Sequence, residues 1–224
     1  MSVSSLINHI LEAIKWPVAA FCLIILPFSV VALSDSKIIG EVFSNNGAIV
    51  AGFSIYLVVW FFYFSRPSAG SFFSTFEHEL THAIFAWATF KKVTGLTATW
   101  REGGVCSWEG GKNWLIFIAP YFFPTLMLVP IVLSFVVKRE YFEAAEIMLG
   151  AVMAYHMTST YLETHSNQTD LQETSFLFAF LFLPTANIMV YTTALIYFVR
   201  GPKEASDYVV ECCSRAWDWL LLLT

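Results

Sequence analysis

Long apolar runs, separated by short polar segments, fill most of the chain. A helix needs about 20 mostly apolar residues to cross the hydrocarbon core of a bilayer, and several runs approach that length. The segments predicted to cross are Trp16–Leu33, Gly47–Phe64, Ser71–Phe90, Asn113–Val137, Tyr141–Leu162 and Thr174–Val199. The pattern therefore predicts an all-α polytopic membrane protein with about six transmembrane helices.

Amphipathic helices are predicted at both ends of the chain. In residues 1–15 the apolar positions repeat with helical spacing and share one face. Residues 202–223 mix apolar and charged positions, so we expect this second helix to lie along the membrane surface. The sequence has no internal repeat and no low-complexity linker, and a single membrane domain over residues 1–224 accounts for it.

One stretch of the chain does not have a helical pattern. Val93–Trp100 is rich in β-branched and small residues, Arg101–Gly104 supplies a turn, and Val105–Trp108 provides a second short strand. Two short strands around a Gly-Gly pair are typical of a β-hairpin, although an extramembrane linker fits the composition equally well. Ser34–Asn46 and Ser65–Gly70 are polar segments, which we expect to form a connector and a turn.

The composition supports the assignment to the membrane. Of the 224 residues, 57% are hydrophobic and 13% are charged, whereas a globular domain carries about 25% charged residues. The mean hydropathy is +0.64. A net charge of -5 provides no basic surface to neutralise phosphates, so nucleic acid is excluded as a partner and the lipid bilayer is expected.

The predicted helix at Ser71–Phe90 contains a His-Glu-x-x-His motif formed by His78, Glu79 and His82. Residues four apart on a helix lie on one face, so the two imidazoles can bind one zinc ion. Glu79 is placed to act as a base on a metal-bound water, as in metalloproteases. The alternative is a surface helix with solvated histidines, but the other positions of this helix are mostly apolar.

Two histidines require a third ligand, and the sequence alone leaves its identity open. If the helices cross alternately, the polar run at Glu163–Glu173 returns to the side of the hairpin, which brings Glu163, His165 and Asp170 towards the motif. Asp170 is equally suited to cap the following helix. His156 is a further candidate, either as a ligand, as a group that stabilises an oxyanion, or as a buried histidine bonded to a neighbouring helix.

These residues resemble the site-2 protease family of intramembrane zinc metalloproteases. The shared features are His78-Glu79-x-x-His82 in a membrane helix, a glycine-rich hairpin directly after it, and an aspartate at the head of a later helix. The resemblance is to the compact bacterial type without an inserted PDZ domain. It covers roughly Ser71 to Val199, which makes residues 71–199 the expected catalytic core.

The resemblance implies a role for each matching residue of the centre. The zinc ligands would be His78, His82 and Asp170, and Glu79 would activate water. The family usually has a glycine directly after the aspartate, whereas Leu171 follows Asp170 in this chain.

The resemblance also implies how a substrate is held. Asn167 would position the substrate strand. The segment Gly103-Gly104-Val105 would be an edge strand that pairs with an unwound stretch of substrate.

The resulting expectation is a zinc-dependent membrane endopeptidase that hydrolyses peptide bonds within or next to a membrane segment of a protein or peptide substrate. The resemblance implies a multi-pass protein of the bacterial inner membrane. Two alternatives are a membrane gluzincin with Glu163 as third ligand, acting on extramembrane chains, and a non-catalytic zinc-binding membrane scaffold.

Overall fold

The computed structural model describes residues 2–64, 72–100, 103–165 and 167–222. This part of the chain is mostly helical, with one pair of antiparallel strands. Its helices are α1 (Val3–Ser36), α2 (Ile38–Asn45), α3 (Gly47–Val59), α4 (Phe72–Ala88), α5 (Trp114–Ile118), α6 (Leu128–Val136), α7 (Phe142–Glu163), α8 (Thr169–Thr174), α9 (Phe176–Arg200) and α10 (Pro202–Leu221). The strands are β1 (Lys92–Ala98) and β2 (Gly104–Glu109).

The first helix is longer than the sequence indicates. The predicted amphipathic segment 1–15 and the predicted span Trp16–Leu33 form one helix of 34 residues, which continues through Pro17 and Pro27. The predicted polar connector is wrong in part, because α2 occupies most of it. Ile38 and Val42, one helical turn apart, are both buried and anchor α2 to the core.

The predicted crossing Asn113–Val137 is bent rather than straight. It consists of two halves, Trp114–Tyr121 and Thr125–Val136, and the chain bends by 67° between them. The break lies at Pro120 and Pro124, where backbone donors are missing, and Glu77 Oε1 accepts a hydrogen bond of 3.0 Å from Leu126 N just beyond it. The predicted third break, at Pro130, is absent, because this residue lies in the first turn of α6, where no intrahelical donor is needed.

The β-hairpin is confirmed. β1 and β2 pair antiparallel, with Leu96 opposite Cys106 and Ala98 opposite Gly104. An irregularity between Val93 and Gly95 shifts the register by one residue. The predicted turn at 65–70 and residues 101–102 of the hairpin turn lie outside the described residues.

Helices α3 and α7 approach each other at two glycines. A Cβ atom on Gly52 would overlap the carbonyl oxygen of Ile147, and a Cβ atom on Gly150 would overlap that of Ile49. Small residues of this kind let two membrane helices pack backbone against backbone. This contact fixes the position of α7 beside α3. It therefore also fixes the position of Glu163, the last residue of α7.

Helices α1 and α9 run parallel. Trp16, in the middle part of α1, contacts Phe178 at the start of α9, and at the ends of the two helices the backbone carbonyl of Ser36 accepts a hydrogen bond of 2.8 Å from Arg200. The beginning of α1 also lies beside the base of the hairpin, because Lys91 Nζ donates to Asn8 Oδ1 at 2.8 Å. Both helices therefore begin at the hairpin end of the molecule.

Helix α4 has both of its ends in the hairpin half of the bundle. Its first turn contacts the end of α7, where Ser74 Oγ donates to Glu163 at 2.6 Å, and its last turn leads to Lys91 at the hairpin base. Within the described residues, α1 with α2 and α9 are each long and apolar enough to cross a membrane, and the bent pair makes a third span if it counts as one. Six alternate crossings would instead place the start of α1 opposite the hairpin.

Candidate metal centre

His78 and His82 lie one turn apart on α4, and each is held through its outer ring nitrogen. His82 Nδ1 is 2.8 Å from the backbone oxygen of Ile116, and His78 Nδ1 is 2.8 Å from Glu163 Oε2. A ring nitrogen facing a carbonyl or carboxylate carries a proton, so in the neutral form of each ring, which is the form that binds a metal, the other nitrogen has the lone pair. In both residues that other nitrogen, Nε2, faces Asp170.

Asp170 completes a group that fits a zinc ion. Its Oδ2 atom lies 3.0 Å from His78 Nε2 and 3.2 Å from His82 Nε2. Two ligand atoms bound to a tetrahedral zinc at about 2.0–2.2 Å are separated by about 3.3 Å, so small movements admit the ion. The three residues bring one ligand atom each within 4.8 Å of the others.

The carboxyl group of Asp170 is favoured in its charged form. Burial by itself would raise its pKa, but hydrogen bonds to the His78 and His82 rings, together with the charges of those rings, lower the pKa below its usual range. The residue lies at the second position of α8, which the sequence pattern did not predict as a helix. The charged form is the one that ligates a metal.

Glu79 lies beside these ligands and under strand β2. The residue is only 8% exposed, and its carboxylate accepts a hydrogen bond from the backbone N–H of Cys106. A Cβ atom on Gly104 would lie 2.5 Å from Glu79 Cγ and 2.7 Å from Thr75 Cγ2. The absence of a side chain at Gly104 therefore lets the strand pass directly over the predicted base.

The ligands and Glu79 border a cavity of about 470 Å³. The strand side of the cavity is formed by residues 103–106 together with Trp108, and the opposite sides by α4, α5 and the start of α8. The remaining lining residues are Thr75, Phe117, Glu163, Gln168 and Thr169. Gly103, Gly104 and Val105, predicted as an edge strand, thus face the same space as the predicted base.

Other predicted candidates lie away from the group of three. Asn167 is exposed, and the cavity is lined by its neighbours Gln168 and Thr169. His165 is exposed too, and its Nδ1 atom accepts a hydrogen bond of 3.2 Å from Asn167 N. His156 is buried and hydrogen-bonded to the Tyr191 hydroxyl on α9, which is the structural alternative considered for it above.

Glu163, the alternative third ligand, is close to the centre but on the far side of His78. It faces Nδ1, whereas Asp170 faces Nε2 of the same ring. The two ring nitrogens point in diverging directions, so one metal ion cannot bind to Nε2 and to Glu163 in this arrangement. Of the candidates left open by the sequence, Asp170 is the one that lies next to Nε2 of both histidines.

Sequence reasoning missed several residues around the centre. Trp108 follows Gly104 and Cys106 at alternate positions of β2, so period-two alternation would have placed it on the inner face. Thr75 precedes His78 by one helical turn and was detectable in the same way. Tyr121 is fully buried with its ring perpendicular to that of His78, 5.5 Å away, and no sequence pattern indicates that contact.

Comparison with known proteins identifies the family. No curated protein and no solved structure matches the chain. A family model described as Peptidase M50B-like matches residues 49–199, which extends the resemblance noted over residues 71–199 back into α3. The match covers more than half of the chain and contains every ligand of the candidate centre. The chain therefore belongs to the Peptidase M50B-like family, consistent with its resemblance to site-2 proteases, and is a membrane protein of a peptidase family.

Proposed function

We propose that the chain is a zinc-dependent membrane endopeptidase that hydrolyses peptide bonds within or next to a membrane segment of a protein substrate. The observation that carries this proposal is the convergence of His78 Nε2, His82 Nε2 and the Asp170 carboxylate at the edge of a cavity that Glu79 also lines. A two-histidine, one-carboxylate set with an adjacent glutamate is the donor arrangement of zinc peptidases.

The chemistry divides between the metal and Glu79. His78, His82 and Asp170 would hold zinc, which supplies a polarised scissile carbonyl and a more acidic water molecule when bound. The Glu79 carboxylate takes a proton from the attacking water and then transfers it to the nitrogen of the leaving amine. The Cys106 N–H holds that carboxylate at the cavity wall, which keeps it oriented for both transfers.

The position of β2 supports binding of an extended substrate. β1 occupies one edge of β2, and the other edge faces α4, as the hydrogen bond from Cys106 N to Glu79 indicates. A substrate strand added along Gly103-Gly104-Val105 would pass over the cavity with its carbonyls next to the metal ligands. Such a strand has to be unwound first, because the carbonyls of a helix are already hydrogen-bonded.

The same geometry supports a location within the bilayer. The bent pair α5–α6 and helices α1 and α9 each contain an apolar stretch suited to crossing a membrane, and α4 packs against α5 and the hairpin. We therefore place the centre at membrane depth in the hairpin half of a multi-pass protein, in the bacterial inner membrane that the family resemblance implies.

The test is substitution of the base in reconstituted vesicles. The purified protein would be incorporated into liposomes with a set of single-span reporter proteins, and cleavage and bound zinc would be measured together. Glu79→Gln should keep its zinc and lose cleavage. Glu146→Gln, on α7, is the matched control, because Glu146 is hydrogen-bonded to Asn46 at 2.6 Å and does not line the cavity.

Two results would overturn the proposal. Cleavage by Glu79→Gln at the wild-type rate would remove Glu79 as the base. Stoichiometric zinc in the wild-type protein without cleavage of any reporter would favour the non-catalytic scaffold considered above.

A further inference from the structure

The outer side of His78 is occupied by a carboxylate. Glu163 Oε2 lies 2.8 Å from His78 Nδ1, and Asp170 Oδ2 lies 3.0 Å from Nε2 of the same ring. The imidazole is thus clamped between two acids from two different elements, α7 and α8. His82 has no such pair, because its Nδ1 faces the neutral backbone oxygen of Ile116.

Glu163 is itself fixed by two serines. Ser74 Oγ donates to Glu163 Oε1 at 2.6 Å, and Ser159 Oγ donates to the same oxygen at 2.9 Å. Ser74 belongs to α4 and Ser159 to α7, so the two hydrogen bonds join the helix of the histidines to the helix of the glutamate. With Oε1 satisfied in this way, Oε2 is directed to His78.

We propose that Glu163 is a positioning residue, which keeps the His78 proton on Nδ1 and presents the Nε2 lone pair to the metal site. The inference rests on the proposed function, because it assumes that His78, His82 and Asp170 hold zinc. A carboxylate on the outer nitrogen of a ligating histidine fixes its tautomer and ring orientation and increases its basicity as a ligand. The serines preorganise the carboxylate so that no side chain must reorient when the metal binds.

This role differs from the ligand role weighed for Glu163 from the sequence. A ligand would have to lie near Nε2 of both histidines, where Asp170 is found. A positioning residue acts on one histidine only and leaves the number of ligands unchanged. Substituting it should weaken the site without abolishing it.

Zinc affinity measures this role without reference to cleavage. The full chain in detergent would be stripped of metal and titrated with zinc against a chromophoric chelator. We expect Glu163→Gln, which keeps the size of the side chain and removes its charge, to lower zinc affinity about 10–100-fold. Glu146→Gln, which alters another carboxylate of α7 that is hydrogen-bonded to Asn46, should bind zinc like the wild type.

A spectroscopic readout separates positioning from a general structural effect. With ¹⁵N-labelled histidine, the zinc-loaded wild type should show the NMR signal of a strong hydrogen bond from His78 Nδ1–H, and in zinc-loaded Glu163→Gln this signal should shift towards that of a weaker hydrogen bond. Ser159→Ala should give a smaller change in the same direction, because Ser74 still holds Glu163. The thermal unfolding midpoint of the metal-free protein should be similar in all of these variants.

The outcomes distinguish this inference from the proposed function. Wild-type zinc affinity and an unchanged His78 Nδ1–H signal in Glu163→Gln would overturn the role of Glu163 whether or not the protein cleaves its reporters. Complete loss of zinc from Glu163→Gln, with zinc retained by Asp170→Ala, would overturn it in favour of a ligand role. A Glu163-dependent zinc site in a protein that cleaves no reporter would support the inference and refute the proposed function.

Discussion

At the scale of single residues, the candidate centre includes a carboxylate, that of Asp170, which is distant in sequence from the two histidines. Asp170 lies 88 positions after His82, yet its carboxylate contacts both imidazoles. Histidine ligands are neutral when they bind a metal, so the aspartate supplies the negative charge within this group of three. If Asp170 is a ligand as proposed, its removal takes away a ligand atom and the charge that offsets the cation.

Asp170→Ala should therefore lower zinc affinity by more than the about 10–100-fold expected for an outer partner of a ligand. Chelator competition and elemental analysis of the purified variant would measure this loss. Glu173→Ala is the control on the same helix, because Glu173 forms an exposed ion pair with Lys112 at 2.8 Å. This variant should bind zinc like the wild type. Full zinc occupancy in Asp170→Ala would exclude the aspartate from the ligand set.

Gly104 controls the position of the predicted base rather than that of the metal. In Gly104→Ala the new methyl group would lie 2.5 Å from Glu79 Cγ, so the glutamate or the strand must move. Because small displacements of catalytic groups cost on the order of 100-fold in rate, we expect a loss of this size in reporter cleavage with zinc retained.

Gly95→Ala is the matched control for this change, since Gly95 lies in the partner strand with no atom within 4 Å of its added Cβ. It should cleave the reporters at the wild-type rate. Equal rates in the two variants would show that the close approach of β2 to Glu79 does not matter for the reaction.

The sequence predicts some of these residues better than others for a physical reason. His78, Glu79 and His82 lie within one helical turn, so their relative geometry follows from helix periodicity alone. Asp170 is brought to the centre by the tertiary packing of α8 against other elements. From the sequence, only the family resemblance distinguished it from the other polar candidates. The outer contact of Glu163 with His78 depends on where α7 ends beside α4, which no local pattern records.

At the scale of helices and strands, the contact between α3 and α7 determines where the end of α7 lies. Gly52 and Gly150 let the two backbones meet. In a membrane the hydrophobic effect does not drive helices together, so close packing of this kind holds them. Since α7 carries Ser159 and Glu163, a shift of α7 against α3 would move the carboxylate away from His78.

Gly150→Ala should therefore destabilise the protein and weaken the metal site together. The added methyl would overlap the carbonyl oxygen of Ile49, and overpacking of this kind costs about 1–3 kcal/mol. Thermal unfolding in detergent and zinc titration would measure the two effects. Gly40→Ala, in α2, meets no atom within 4 Å and should match the wild type in both.

Two elements were not predicted because their patterns are weak. Helix α2 lies in a segment with charged and polar residues, and it forms because a few of its apolar positions are buried against the core. Helix α8 has six residues, too few for a hydrophobic period to be recognised, and it is held by burial of Leu171 and Thr174. The hairpin, by contrast, is encoded locally by β-branched residues and glycines, and its strands were predicted correctly to within a few positions.

At the scale of the whole molecule, the parallel directions of α1 and α9 bear on the predicted number of crossings. Both α1 and α9 start at the hairpin end and finish where Arg200 contacts Glu41 and Ser36. Helices that alternate between these parallel ends must make an odd number of crossings in total. If α1, α3, the bent pair, α7 and α9 all cross, we expect α4 to enter the bilayer and return to the same side.

This arrangement predicts that the start of the chain and the hairpin face the same side of the membrane. Single cysteines at Val3, Lys92 and Lys203, all exposed positions, would be introduced after replacement of the native cysteines and treated with a membrane-impermeant maleimide in sealed vesicles. Val3→Cys and Lys92→Cys should be labelled from one face, and Lys203→Cys from the other. Six alternate crossings would separate Val3→Cys from Lys92→Cys, so labelling of these two from opposite faces would mean that α4 crosses completely and that the centre lies on a full transmembrane helix.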